Sequence, residues 1–141
     1  MKINSETQEK FNKIVGNYDL NFVILHGSYA RGEEKPGSDL DVAVLGKKFI
    51  KFEKQLKIFG ELARVFGDNR ERELDVKTLH GTDPLFLYEV VKDGQLVFGD
   101  PSAYDNFVLY AYKNFHDSRD LFRLRDEIIG KRMLDLKKSY A

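Results

Sequence analysis

At 141 residues, with 42% hydrophobic and 13% aromatic side chains, the chain is one domain large enough to bury a hydrophobic core. Its 23 basic and 23 acidic residues cancel, which argues against a dedicated nucleic-acid binder, because neutralising phosphates takes a basic excess. Cysteine is absent, the start MKINSETQEKF is polar, and no apolar run approaches a membrane span; disulfides and thiolate metal sites are excluded, and the cytoplasm is the expected location.

Glu6 to Val15 reads as a short helix with Phe11, Ile14 and Val15 inward, leading to a buried strand over 22–26. The chain then reaches Gly27-Ser28 and the helix-tolerant Tyr29-Ala30-Arg31, with Ser28 expected to cap a short helix. The stretch GEEKPG from Gly32 to Gly37 is a turn-rich return to a second strand that carries Asp39-Leu40-Asp41. Next, Phe49, Phe52, Leu56, Phe59, Ala63 and Phe66 recur every three or four residues, which predicts an amphipathic helix of about five turns ending near Gly67, its aromatic stripe in the core. Alternation over 73–79 predicts a half-buried strand. Asp83-Pro84 opens another helix and Gly94 closes it; Gln95 to Phe98 is a short strand, and Gly99-Asp100-Pro101 a break.

The rest is helical. Phe107, Val108, Ala111, Tyr112 and Phe115 form one apolar stripe, and Leu121, Leu124, Ile128, Ile129 and Leu136 another. One stripe covers the sheet; the second either packs on the same core or serves a homo-oligomer or other partner. Lys131, Arg132, Lys137 and Lys138 read as solvated charges. His80 and His116 show no ligand spacing with each other or with a carboxylate pair, and His26, next to Gly27, reads as a packed or hydrogen-bonded residue, with a place facing a bound ligand as the alternative. Tyr104, Tyr110, Tyr112 and Tyr140 read as packing residues, or as acceptors in self-modification.

The chemistry lies between the first two strands. Asp39 and Asp41 are two positions apart on a strand, so they share a face about 7 Å apart along the chain. Unpaired, two such carboxylates raise each other's pKa. A hard divalent cation removes that conflict, and Mg²⁺ uses one or two carboxylates together with substrate phosphates. A strand-to-helix turn with glycine at its tightest point supplies the phosphate seat, because helix N–H groups are unpaired there and no side chain intervenes. Arg31 could add a charge-assisted contact to phosphate oxygens. A hairpin with a Gly-Ser turn and a Ser38-Asp39 cap is the alternative reading; the joint pattern arises by chance in on the order of one chain in several hundred. Asp75, in Leu74-Asp75-Val76-Lys77-Thr78-Leu79, is the candidate third carboxylate, with Glu73 its nearest competitor on the same strand face. It would act as general base toward an incoming hydroxyl or as ligand of a second cation.

The string GSYARGEEKPGSDLDVAVL resembles the signature of the DNA polymerase beta-like nucleotidyltransferase superfamily, and within it the small stand-alone minimal nucleotidyltransferases (MNT). Gly27, Ser28, Asp39, Asp41 and Asp75 occupy that family's motif positions, Ala30-Arg31-Gly32 also matches, and the resemblance covers nearly the whole chain. It implies a polymerase-beta-like α/β (α+β) fold: a mixed sheet flanked by helices over about residues 1–100, then C-terminal helices over about 101–141, in one domain. It implies transfer of AMP from ATP to a hydroxyl, with Asp39, Asp41 and Asp75 as catalytic, Mg²⁺-binding carboxylates and Gly27, Ser28 and Arg31 on the nucleotide. It implies a partner, the HEPN-domain ribonuclease toxin that such antitoxins silence by adding AMP to a tyrosine. Two other readings stand beside it. One is an antitoxin that acts by binding alone. The other is transfer to a small molecule of the aminoglycoside type, for which little chain remains to build a substrate domain.

Overall fold

The computed structural model describes residues 4–140. In chain order the elements are α1 (Ser5–Asn17), β1 (Leu20–His26), α2 (Gly27–Arg31), β2 (Leu40–Gly46), α3 (Phe52–Phe66), β3 (Leu74–Thr78), α4 (Pro84–Asp93), β4 (Gln95–Gly99) and α5 (Pro101–Ser139). The strands form one mixed sheet in the order β3-β2-β1-β4. β1 is antiparallel to both β2 and β4, whereas β2 and β3 run parallel with Leu40 opposite Leu74 and Asp41 opposite Asp75.

Period-two alternation gives each face of the sheet its own core. Val23, Leu25, Val42 and Val44 meet α1 and α3 through Phe11, Ile58, Leu62 and Phe66. Phe22, Ile24 and Ala43 meet α4 and α5 through Leu87, Val90, Phe107 and Ala111. The α4 boundaries follow from turn chemistry. Asp83 accepts a hydrogen bond from the Leu85 N–H at 2.7 Å, and Pro84 occupies the first turn, where its missing donor costs nothing. Asp83→Ala is expected to lower stability by about 1 kcal/mol, read as a fall in the urea midpoint with an unchanged slope.

Three expectations are corrected. The stripe expected along Phe49, Phe52, Leu56, Phe59, Ala63 and Phe66 is buried only toward its C-terminal end. Phe49, Phe52 and Leu56 are exposed, Phe66 is buried with Phe59 and Ala63 packed beside the core, and the adjacent row through Ile58 and Leu62 is buried with them. Both rows recur at helical spacing, and only the C-terminal turns of α3 reach the core beneath α1, where the Phe66 and Phe11 rings meet at 5.5 Å. The C-terminal helices are one unbroken 39-residue helix, α5, about 58 Å long; after Pro101 no proline interrupts it, and Asp100 caps it at the Ser102 N–H. The second apolar stripe of that helix lies in solvent. Tyr110, Tyr112 and Tyr140 are likewise exposed, Tyr112 still edge-on to Tyr88 of α4 at 5.5 Å, and Tyr104 is half-buried, edge-on to Phe22.

Candidate active site

β1 ends at His26 and the chain turns at once into α2. Gly27 makes that turn at φ 74°, a conformation side chains resist. A Cβ there would collide with the carboxylate of Asp41, so the glycine is required twice over. The expected cap is displaced: the residue before the helix is His26, which makes no side-chain cap bond, and Ser28 lies inside the first turn. The first N–H groups of α2 therefore have no side-chain acceptor and point out at the end of β1.

Parallel pairing of β2 with β3 sets Asp41 directly beside Asp75. Asp39 stands just before β2, exposed, two residues from Asp41. On these strands Leu40, Val42 and Leu74 face the α1/α3 core, so by alternation the three carboxylates lie on the α4/α5 side. Their mutual effect is visible at Asp41. Burial, then Asp75 and Asp39, push its carboxyl above the ordinary range, opposed by Lys77 and Arg31.

Lys77 is a residue the sequence reading passed over, though alternation from Asp75 places it on the same face. Its ammonium is 3.8 Å from the Asp75 carboxylate, and it is the cation on the edge strand nearest the acidic cluster. Arg31 reaches the cluster from α2, but its guanidinium is engaged at 3.0 Å by Glu33 and at 3.4 Å by Asp93 of α4. Glu73 precedes β3, exposed, and its carbonyl accepts from the Leu40 N–H at 2.8 Å.

His26 is buried, edge-on to Phe86 of α4 at 6.2 Å, and its Nε2 has no hydrogen-bond partner among the described residues. Burial holds its pKa below the ordinary 6.5, against the pull of Asp75 and with a smaller push from Lys77. Below pH 6.5 the unfolded chain takes up a proton that folded His26 resists, so stability falls as pH drops from 6.5 toward the lowered folded value. His26→Phe is expected to flatten that fall, read as Tm against pH between 8 and 5.

Among the described residues no three carboxylate or imidazole groups form a ready-made metal cage. The donors nonetheless suit a hard cation. They are carboxylate oxygens on one face, and the repulsion that lifts Asp41 is the conflict a divalent ion relieves. A surface cavity of about 700 Å³ between Tyr29, Lys35 and Arg72 lies elsewhere and is lined by none of these carboxylates.

A mixed sheet with a Gly-Ser helix turn beside paired acidic strands is the architecture of a polymerase-beta-fold nucleotidyltransferase. The sequence profile of the polymerase beta nucleotidyltransferase family matches residues 9–103, and the chain belongs to that family. Several solved structures share the fold. A toxin–antitoxin structure with AMP-PNP is 20% identical at a TM-score of 0.68, over 86% of this chain and 98% of that one. A tri-AMPylated Shewanella oneidensis HEPN toxin in complex with MNT antitoxin gives 18% and 0.63, over 88% and 97%. Spectinomycin adenyltransferase from Enterococcus faecialis, with ATP and spectinomycin, gives 15% and 0.52, over 82% of this chain and 65% of that one. No curated protein matches. The expectation of a nucleotidyltransferase of the polymerase beta family is thus met, and its fold is shared with an MNT antitoxin.

Proposed function

We propose that this chain transfers AMP from ATP to a tyrosine hydroxyl of a HEPN-domain ribonuclease toxin, and so acts as its antitoxin. One observation carries the reading: Asp39, Asp41 and Asp75 converge on one face beside the uncapped N-terminus of α2. The similarity in fold to an MNT antitoxin seen with a tri-AMPylated HEPN toxin supports the acceptor, and the similarity to a structure with AMP-PNP supports the nucleotide.

Asp39 and Asp41 would hold Mg²⁺, which when bound neutralises charge developing on the phosphate oxygens. Gly27 lets the phosphate chain approach the backbone, and Ser28 and its neighbouring amides orient the outer phosphates. Asp75 serves as general base for the attacking hydroxyl or as a further metal ligand. Arg31, exposed at the α2 terminus, contributes charge toward the nucleotide once it leaves Glu33 or Asp93. Attack at the α-phosphorus forms the new oxygen–phosphorus bond as the bond to pyrophosphate breaks, and the hydroxyl proton passes to the base.

ATP labelled at the α-phosphate, with Mg²⁺ and the toxin, tests the reading. Label on the toxin that depends on Asp39 and Asp41 is the expected result. Neutralisation of the toxin by the Asp39→Asn, Asp41→Asn variant, without label, would favour action by binding alone.

A further inference from the structure

α5 is two helices in one. Its first half is held: Phe107 and Ala111 are buried, and Phe115 stacks on Tyr88 of α4 at 4.0 Å. From Arg123 to Tyr140 every side chain is exposed. Leu124, Ile128, Ile129, Met133, Leu134 and Leu136 are among them, each 44% to 60% accessible. Most helical stability in proteins comes from packing an amphipathic face, and so large a row of exposed aliphatic side chains marks an interaction surface.

The groove at the root of this arm says what covers it. Leu85 of α4 with Phe115 and Phe122 of α5 floor a cavity of about 350 Å³, and Arg119, Arg123 and Arg125 rim it against a single acid, Asp126. Arg125 lies over the Phe122 ring at 5.2 Å. Arg119 and Arg123 carry no ion pair among the described residues. Residues 119–140 hold seven Lys or Arg and four Asp or Glu, although the whole chain balances at 23 of each. The arm is therefore net +3 and the remainder net −3.

We propose that the arm and its basic groove dock an acidic, apolar face of a partner protein, and that this protein carries the acceptor hydroxyl. The second clause rests on the reading that the acceptor is a protein. Position supports it: Leu85 adjoins Phe86, which packs on His26 beside the carboxylates. A partner seated in the groove therefore borders the active site. Phosphates of a nucleic acid would satisfy the arginines but leave the aliphatic row unmet. Pairing of two arms would bring together two surfaces of the same positive sign.

The test compares the native chain with Arg119→Glu, Arg123→Glu and, separately, Ile128→Glu, titrated calorimetrically with the HEPN-domain toxin as probe. Both variants are expected to bind it on the order of 100-fold more weakly, with unchanged circular dichroism and unchanged ATP affinity. Native binding by the variants overturns the proposal, as does a native chain that does not bind the toxin. It is also overturned by a native dimer in sedimentation that Ile128→Glu dissolves, or by tighter binding to a duplex RNA than to the toxin. Arm-dependent binding without AMP transfer would sink the proposed reaction and leave the docking surface standing.

Discussion

Replacing Asp39 and Asp41 together by Asn is expected to cut AMP transfer by on the order of a thousandfold or more, the loss of several kcal/mol of charge stabilisation. Asp41→Asn alone is expected to make the apo fold more stable at neutral pH. Both effects arise where β2 meets β3, at a carboxylate that is partly buried and crowded by two others. Asp41's carboxyl is raised above its ordinary 3.8 by burial and then by Asp75 and Asp39. Below pH 3.8 it is protonated in folded and unfolded chains alike and contributes nothing. As pH rises from 3.8 through the raised folded value, the unfolded chain releases the proton more readily and a penalty on the fold accumulates; above that value it is complete. The Asn variant escapes it, so its Tm should exceed that of the native chain at pH 7, and the advantage should vanish on acidification. Mg²⁺ with a non-hydrolysable ATP analogue should reverse the order. Ligand at 100 times its Kd stabilises the native chain by about 2.7 kcal/mol, and the double variant gains far less. A variant less stable than the native chain at pH 7 would show that these carboxylates are structural ties instead of a strained ligand set.

Much of this site was legible because strand alternation and turn chemistry are local. Asp39, Asp41 and Asp75 needed only a period of two and the parallel register that joins β2 to β3. Asp83-Pro84 and Gly94 bound α4 through groups within a few residues. What local pattern could not supply was how far along a helix the core extends. In α3 the helical period placed Phe59, Ala63 and Phe66 at the core, but only contact with Phe11 and the sheet buries Ile58 and Leu62 with them and leaves Phe52 and Leu56 in solvent. The length of α5 was hidden for a related reason: its stripes look like two helices because different turns meet different surroundings, the first α4 and the second solvent. Lys77 was within reach of the same alternation that found Asp75. Its meaning came only from the pairing of β3 with β2, which brings that face beside Asp41.

Gly27→Ala separates the backbone requirement at this site from its charge requirement. Two costs arise at that one position. The residue holds φ 74°, which costs an L side chain about 1–2 kcal/mol. Its new methyl would also strike the Asp41 carboxylate, so either the α2 turn or the carboxylate must shift. Displacement of a reacting group by about 1 Å costs about 100-fold in rate, and the variant is expected to lose at least that much activity with every carboxylate still present. Gly32→Ala is the control. Gly32 ends the same short helix at φ 70°, with nothing within 4 Å of an added Cβ. It should lose a similar 1–2 kcal/mol in a urea titration while transferring AMP at the native rate per folded molecule. Equal losses of activity in the two variants would mean that α2 works only as a rigid whole. A loss confined to Gly27→Ala would locate the requirement at the contact between the turn and Asp41, where the phosphate seat and the metal-binding strand meet.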